Sequence, residues 1–535
     1  MCLFLYKKKF VRSEKMKHMW EKDGYLIRLA EEKDKEAYYD ENFNPLDKTV
    51  ARFTGCREEF TREEVISFYE KCLTDDERYD FLIFSPEGKI VGESVINLVT
   101  TLSKYLMILL IAIYTYYNFR FFAMPDEHSR NRVCRLQNAA MLFIHVLAYA
   151  VIYLRTEEEK MLMFFGAQFL FFLLYQVFYR MFYRNLSRLL LNNTCMLLCV
   201  SFIMLSRISF DRAVRQFVIA AVAAVVTMLI PFIIDRTWQL AKIPWVYGSI
   251  GLFLLLVVCV LGSTSFGAQL SINVGGFSFQ PSEFVKISFV FFVATMFYRS
   301  IDFRTIVITT VVAAAHVLVL VISKDLGSAL IFFVTYLLML FIATSNWFYL
   351  GAGAGCGVMA AAVAYKLFSH VRVRVEAWQN PWNDIAGKGY QVTQALFAIG
   401  TGGWFGMGLY QGMPKKIPVV EKDFIFAAIS EELGGIFALC IILICLGCFL
   451  QFMLIATKMQ AVFYKLIAFG LGIVYIVQVF LTIGGVIKFI PSTGVTLPFI
   501  SYGGSSILST FILFGVIQGL FILKRNEEEE EDYEA

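Results

Sequence analysis

Charge is what this sequence has little of. Only 17 % of its 535 residues are charged, while 58 % are hydrophobic. A soluble domain carries about 25 % charged and about 45–50 % apolar residues. The deficit excludes an ordinary globular enzyme and fits a chain with many membrane spans. Net charge is only +4, and no basic stripe is large enough for nucleic acid. None of the 11 Cys forms a C-x-x-C pair with a His nearby, which argues against a zinc site. Seven (Cys195, Cys199, Cys259, Cys356, Cys440, Cys445 and Cys448) fall in apolar runs and are expected to be buried free thiols. The N-terminus shows no short apolar run followed by a small-residue cleavage site, so no cleaved signal peptide is expected.

Residues 1–94 are different, rich in Lys, Glu and Asp with short apolar runs. "YLIRLA" and "YDFLIFSPEGKIVGESVI" read as strands, the second with a Pro-Glu-Gly turn. "TREEVISFYEKCL" reads as an amphipathic helix opened by a capping box at Thr61 and Glu64. This is a small soluble α/β fragment.

From about 95 the pattern is that of an all-α polytopic membrane protein. Apolar segments recur near 95–118, 138–154, 161–183, 187–207, 217–234, 245–262, 282–299, 303–321, 327–344, 348–368, 424–455, 461–485 and 505–524, about 13 spans. A span needs about 20 helical residues. The run 424–455 is too long for one straight span, and Gly434 and Gly435 are natural places for it to bend.

Lys and Arg in short loops set orientation. Arg120, Arg130, Arg132 and Arg135 place 119–137 in the cytoplasm, and Arg180, Arg184 and Arg188 do the same for a later connection. Alternation from there puts 263–281, 369–423 and 488–504 outside, and the acidic tail 525–535 inside. Arg212 and Arg215 fall outside, against the rule. The odd number of spans places the soluble fragment outside as well.

The loop 369–423 is about 55 residues long, and loops above about 15 residues are usually functional or disordered. Its tryptophans beside glycines point to interfacial helices and tight turns. It ends in "PVVEKDFIF", with Asp423 at the start of a span, where a carboxylate gains from the helix dipole. On position alone Asp423 is either a charge marking the membrane edge or a functional group. Glu431 and Glu432 follow roughly 12–14 Å deeper. They mark a polar cavity or a structural pair with a cation or backbone donors. Glu283 and Lys286, in "QPSEFVKI", are spaced to pair on one helix face. Lys324 and Asp325 stand at a span end, with Gly327 allowing close packing. "KFIPSTGVTLPFISYGGSS" is irregular backbone, tolerated at membrane depth only when buried or lining a cavity.

Five segments in this order resemble the SEDS family, the RodA/FtsW-type cell-wall polymerases. They are "GAQLSINVGGFSFQPSEFVKI" (267–287), "KDLGSAL" (324–330), "NPWNDIAGKGYQVTQALFAIGTGGWFGMGL" (380–409), "DFIFAAISEELGGIF" (423–437) and "PSTGVTLPFISYGGSS" (491–506). The resemblance covers a ten-span core, 187–524, preceded by extra spans in 95–186. It implies a peptidoglycan glycosyltransferase that polymerises lipid II at the outer face of the bacterial plasma membrane, in elongation, division or sporulation. It also implies a class B penicillin-binding protein as partner. The family's essential acid lies in a Pro-Glu-x-His-Thr-Asp-Phe motif. Pro418 keeps the spacing and the Asp falls on Asp423, but Val419, Glu421 and Lys422 replace the family's Glu, His and Thr.

On this reading Asp423 is the catalytic base. Arg372, Arg374, Lys324 and Lys488 are candidates for pyrophosphate contact, and Asp325, Glu432, Ser501 and Ser505 are further substrate-binding candidates. Gln280, Glu283 and Lys286 are structural polar groups. No metal ligand cluster is visible and no cofactor is identified, while a divalent cation is not readable from sequence. A transporter or flippase, and a non-catalytic scaffold for a transpeptidase, stay open as alternatives. "YLIRLAEEKDKEAYYDENFNPLDKTVARFTG" and "YDFLIFSPEGKIVGESVIN" resemble the first half of a GNAT N-acetyltransferase, cut off before the loop that cradles the acetyl-CoA pyrophosphate. That truncation implies no acetyl transfer, and a fusion joined near 94–97.

Overall fold

A computed structural model describes residues 20–22, 24–44, 59–74, 78–236, 241–265, 268–274 and 277–534. Part of the GNAT-like stretch, 45–55, lies outside them. The chain divides into two units, Met1–Tyr105 and Leu106–Ala535.

In the first unit an antiparallel sheet runs β1 (Trp20–Lys22), β2 (Tyr25–Leu29), β3 (Arg78–Phe84), β4 (Ile90–Asn97) in that order. Helices α1 (Lys35–Asn42) and α2 (Arg62–Thr74) pack with it. Tyr38, Val65, Tyr69 and Leu82 form the core. The capping box on α2 is present: Thr61 N donates to Glu64 Oε2 (3.0 Å) and Glu64 N to Thr61 Oγ1 (3.3 Å). The Pro-Glu-Gly turn closes the β3–β4 hairpin, with Gly88 N donating to Ser85 O. β4 runs without a loop into α3 (Leu98–Ala123).

The second unit is helical. After α3 come α4 (Glu127–Thr156), α5 (Glu159–Phe182), α6 (Arg188–Ile208), α7 (Phe210–Thr227), α8 (Ile230–Arg236), α9 (Pro244–Leu261), α10 (Ser282–Arg299), α11 (Phe303–Ile322), α12 (Leu326–Thr344) and α13 (Trp347–Leu367). Then follow α14 (Ser369–Gln379), α15 (Tyr390–Gly402), α16 (Ile425–Leu433), α17 (Gly435–Lys458), α18 (Val462–Val486) and α19 (Gly504–Glu534). Among the described residues 12 helices are long and apolar enough to cross a membrane, with α7 and α8 together counting as one. Helix α10 adds a further apolar stretch of 18 residues, set apart by Glu283, Lys286 and Arg299. The segments expected from the sequence therefore all appear as helices.

Three features differ from expectation or refine it. The 424–455 run breaks into α16 and α17 at Gly434, whose φ of 93° is open to glycine but strained for other residues. A Cβ there would lie 2.5 Å from Gly406 N, so the loop 403–408 can lie against the break. The stretch 263–279 holds three short strands, β5 (Ser263–Ser265), β6 (Ala268–Val274) and β7 (Phe277–Phe279), that the sequence reading did not resolve. Among the seven thiols, Cys356 is exposed and Cys259 half-buried, while the other five are buried. Helix α13, which carries Cys356, buries none of its residues; it packs along α12 and, less extensively, against α14.

Helix α6 is the opposite case and is buried throughout its span. Its polar residues therefore need partners inside the bundle. Asn193 accepts from Tyr114 (2.9 Å) and donates to Asn118 (2.9 Å), both on α3.

Candidate active site

Four chain segments meet around a cavity of about 160 Å³. Helix α14 supplies Val373, Arg374, Ala377 and Trp378, one contiguous helix face. The start of α15 supplies Gln391 and Val392, with Lys388 just ahead of it. The turn after α18 supplies Lys488, Ile490 and Ser492. Asp423 comes from the segment that leads into α16. Three cationic residues thus line the same cavity as one carboxylate, and Arg374 acts on that carboxylate through its charge. Ligand pockets for whole drug-sized molecules run to about 300–1,000 Å³. The space here suits an anionic head group rather than an entire glycolipid.

The walls are tied together by backbone acceptors. Arg374 Nη1 donates to Ser492 O (3.2 Å), and Trp378 Nε1 donates to Lys488 O (3.2 Å). Lys488 itself sits at φ 60°, the local turn that sends the chain from α18 back across the cavity. Gln391 Nε2 donates to Pro418 O (3.1 Å), which fastens α15 to the segment carrying Asp423. Lys388 pairs with Glu376 (3.0 Å) at the exposed edge.

The segment 418–424 is held from its other side by the loop 497–502. Tyr502 N donates to Glu421 O (2.7 Å) and Ser501 Oγ donates to Lys422 O (2.5 Å). Ser501 Oγ in turn accepts from Leu497 N (2.8 Å). The Glu421 side chain is buried and forms an ion pair with Arg212, on the first turn of α7. Asp423 is half-buried. Burial pushes its carboxyl up to about 6, against the pull of its own backbone N–H and of Arg374 and Lys422, with Glu421 adding to the rise.

The residues named from the sequence divide into groups. Asp423, Arg374 and Lys488 line the cavity together. Ser501 lies behind it as a hydrogen-bonding post for the Asp423 segment. Arg372 is exposed and absent from the lining, since two residues along a helix turn about 200°. Lys324 is exposed at φ 63°. Its charge reaches His370, which burial first, then Arg374 and Lys324, hold below the usual imidazole value. Asp325 caps α12 through Ser328 N (3.1 Å) and accepts from Ser282 Oγ (3.2 Å). Gln280 reaches the same cluster: its Nε2 donates to Ser282 Oγ (3.2 Å), and its backbone N donates to Ser505 Oγ (3.0 Å).

Two other polar groups form closed networks. Lys286 Nζ donates to Glu283 Oε2 (2.7 Å) and to Gln478 Oε1 (2.7 Å), and Ser509 Oγ donates to Glu283 Oε2 (3.0 Å). Glu432 is fully buried and pairs with Arg207 (2.9 Å), whose guanidinium lies 4.1 Å from the Tyr410 ring centroid. Glu431 accepts from Met413 N (2.9 Å). Glu432 thus stands in a structural pair, with a partner, Arg207, that the sequence did not single out. Among the described residues no group of three His, Cys, Asp or Glu is placed to hold a metal ion.

Sequence reasoning missed Lys388, Gln391, Arg207 and Arg212 as neighbours of these groups. Lys388 and Gln391 lie within the 380–409 segment, but no spacing rule assigns direction in an irregular loop. Arg212 carried a usable signal, since a cation on the side where the charge rule disfavours it calls for a partner.

Fold and site together define a multi-pass helical membrane protein with a cation-lined pocket around one carboxylate. The FtsW/RodA/SpoVE family, described as cell cycle proteins, matches residues 188–526, and the chain belongs to it. It is 35 % identical to the peptidoglycan glycosyltransferase RodA of Mycobacterium tuberculosis, over 56 % of this chain and 67 % of that protein. It is 33 % identical to the stage V sporulation protein E of Bacillus subtilis, over 58 % of this chain and 86 % of that protein. A solved chain from work on the structural coordination of polymerization and crosslinking by a peptidoglycan synthase complex shares the fold. Its TM-score is 0.55 at 22 % identity, covering 64 % of this chain and 98 % of that one.

Proposed function

We propose that this chain is a peptidoglycan glycosyltransferase that polymerises lipid II at the outer face of the bacterial plasma membrane. The observation that carries the reading is the cavity in which Asp423 meets Arg374, Lys388 and Lys488, inside the region matched by the family. The names of its relatives support the activity.

The reaction joins the 4-hydroxyl of one GlcNAc to the anomeric carbon of a lipid-linked sugar and releases undecaprenyl pyrophosphate. The attacking hydroxyl loses its proton, and the departing pyrophosphate gains negative charge. Asp423 takes that proton. A carboxylate raised to about 6 is a better base than an unperturbed one and is still largely ionised at neutral pH. Arg374, Lys388 and Lys488 contact the pyrophosphate, where planar and point-charge donors are both effective. Lys388 is released from Glu376 to do so. A class B penicillin-binding protein crosslinks the product.

The test is polymerisation of purified lipid II by the detergent-purified chain. Asp423→Ala is expected to lose glycan strand formation while keeping the wild-type thermal unfolding profile. Full activity of that variant removes Asp423 from the chemistry.

A further inference from the structure

The segment carrying Asp423 departs from the family pattern at three positions, and one of these has acquired a partner elsewhere in the fold. Glu421, where the family pattern has His, is 7 % exposed. A buried carboxylate is costly unless it is paired. Its partner is Arg212, on the first turn of α7, far away in sequence and on the side where the charge rule disfavours a cation. The backbone around the pair is also special. Val419 sits at φ 55°, an uncommon conformation for a β-branched residue that needs outside support. That support comes from Tyr502 N on Glu421 O and Ser501 Oγ on Lys422 O, beside the Arg212 pair.

We propose that Arg212 and Glu421 are positioning residues: their ion pair fixes the Asp423 segment against α7 and cancels a negative charge two residues from the base. This rests on the reading of Asp423 as the base. The charged groups around Asp423 are Arg374 from α14, Lys388 ahead of α15, Lys488 after α18, and Glu421 and Lys422 on its own segment. Of these Glu421 opposes ionisation of Asp423, and Arg212 neutralises Glu421. Removing Arg212 therefore frees both the segment and the opposing charge. Removing the Glu421 charge has the opposite electrostatic effect, and its amide still accepts from Arg212.

Two measurements separate this proposal from the assignment of function. The first is amide hydrogen exchange in the intact, detergent-purified chain, which needs no activity. Arg212→Ala is expected to speed exchange across 419–424 by tenfold or more, and Glu421→Gln to leave it near wild type. Unchanged exchange in Arg212→Ala overturns the proposal whatever the enzyme does. The second is the pH profile of lipid II polymerisation. The acid limb of kcat is expected to move up in Arg212→Ala and down in Glu421→Gln, each by a fraction of a pH unit, because Glu421 acts on the Asp423 carboxyl more weakly than burial, Arg374 or Lys422. The Arg212→Ala/Glu421→Gln double variant is expected to recover the wild-type limb, and Arg212→Lys to recover part of it. An unmoved limb in both single variants, or a loss confined to KM, also overturns the proposal. If the wild-type chain makes no glycan, the function fails while the exchange result still decides the positioning role.

Discussion

At the scale of residues, the proposed site rests on one carboxyl that burial keeps basic in a cavity lined by cationic residues. Arg374 makes the balance visible. It lowers the Asp423 value through its charge, yet burial outweighs it and the carboxyl stays near 6. If Asp423 is the base we propose, it acts in its ionised form, and kcat/KM is expected to fall about tenfold per pH unit below about 6 and to level off above it. A flat profile from pH 5 to pH 8 contradicts this. Arg374→Ala removes a charged donor worth about 1.5–3 kcal/mol, or roughly 10- to 100-fold. Steady-state kinetics should show that loss chiefly in KM for the lipid-linked substrate. That Asp423, Arg374 and Lys488 line one cavity was only partly legible in the sequence: position alone left Asp423 open between a membrane-edge charge and a functional group, and the family resemblance singled it out. Arg372 was equally conspicuous, and only the helical phase of α14 separates it from Arg374.

At the scale of elements, polar networks fix how the helices meet. The Glu283–Lys286 pair on α10 reaches Gln478 on α18 and Ser509 on α19, so one buried cluster ties three helices. Lys286→Met leaves Glu283 unpaired, at a cost of about 3–5 kcal/mol. A clear drop in thermal unfolding temperature is expected, and Glu283→Gln/Lys286→Met should restore much of it. Near-identical unfolding of the single variant contradicts this reading. The i, i+3 spacing announced the pair, but Gln478 and Ser509 come from distant sequence and no local pattern points to them. The break at Gly434 was legible for a simpler reason: the apolar run exceeded one span and contained a glycine pair. The strands in 263–279 were not, since they are too short and polar for periodicity to register.

At the scale of the whole molecule, the membrane class was readable from composition, because a span announces itself by length and apolarity alone. Orientation was inferred from loop cations, against which Arg215 and Arg212 both stand, and Arg212 has an ion-pair partner. Its pairing with Glu421 gives that cation a structural reason to lie where it does. The topology we propose from the loop cations puts the 369–423 connection outside and the acidic end of α19 inside. Whole-cell labelling with a membrane-impermeant maleimide is expected to modify Lys415→Cys and to spare Glu530→Cys, and the reverse pattern contradicts the topology.

The central claim is that Asp423 serves as the base of a lipid II polymerase, and the most direct test is glycan formation from purified lipid II. Wild type should yield glycan strands, and folded Asp423→Ala should yield none, with or without the partner transpeptidase. Strands from the variant at the wild-type rate would contradict the account.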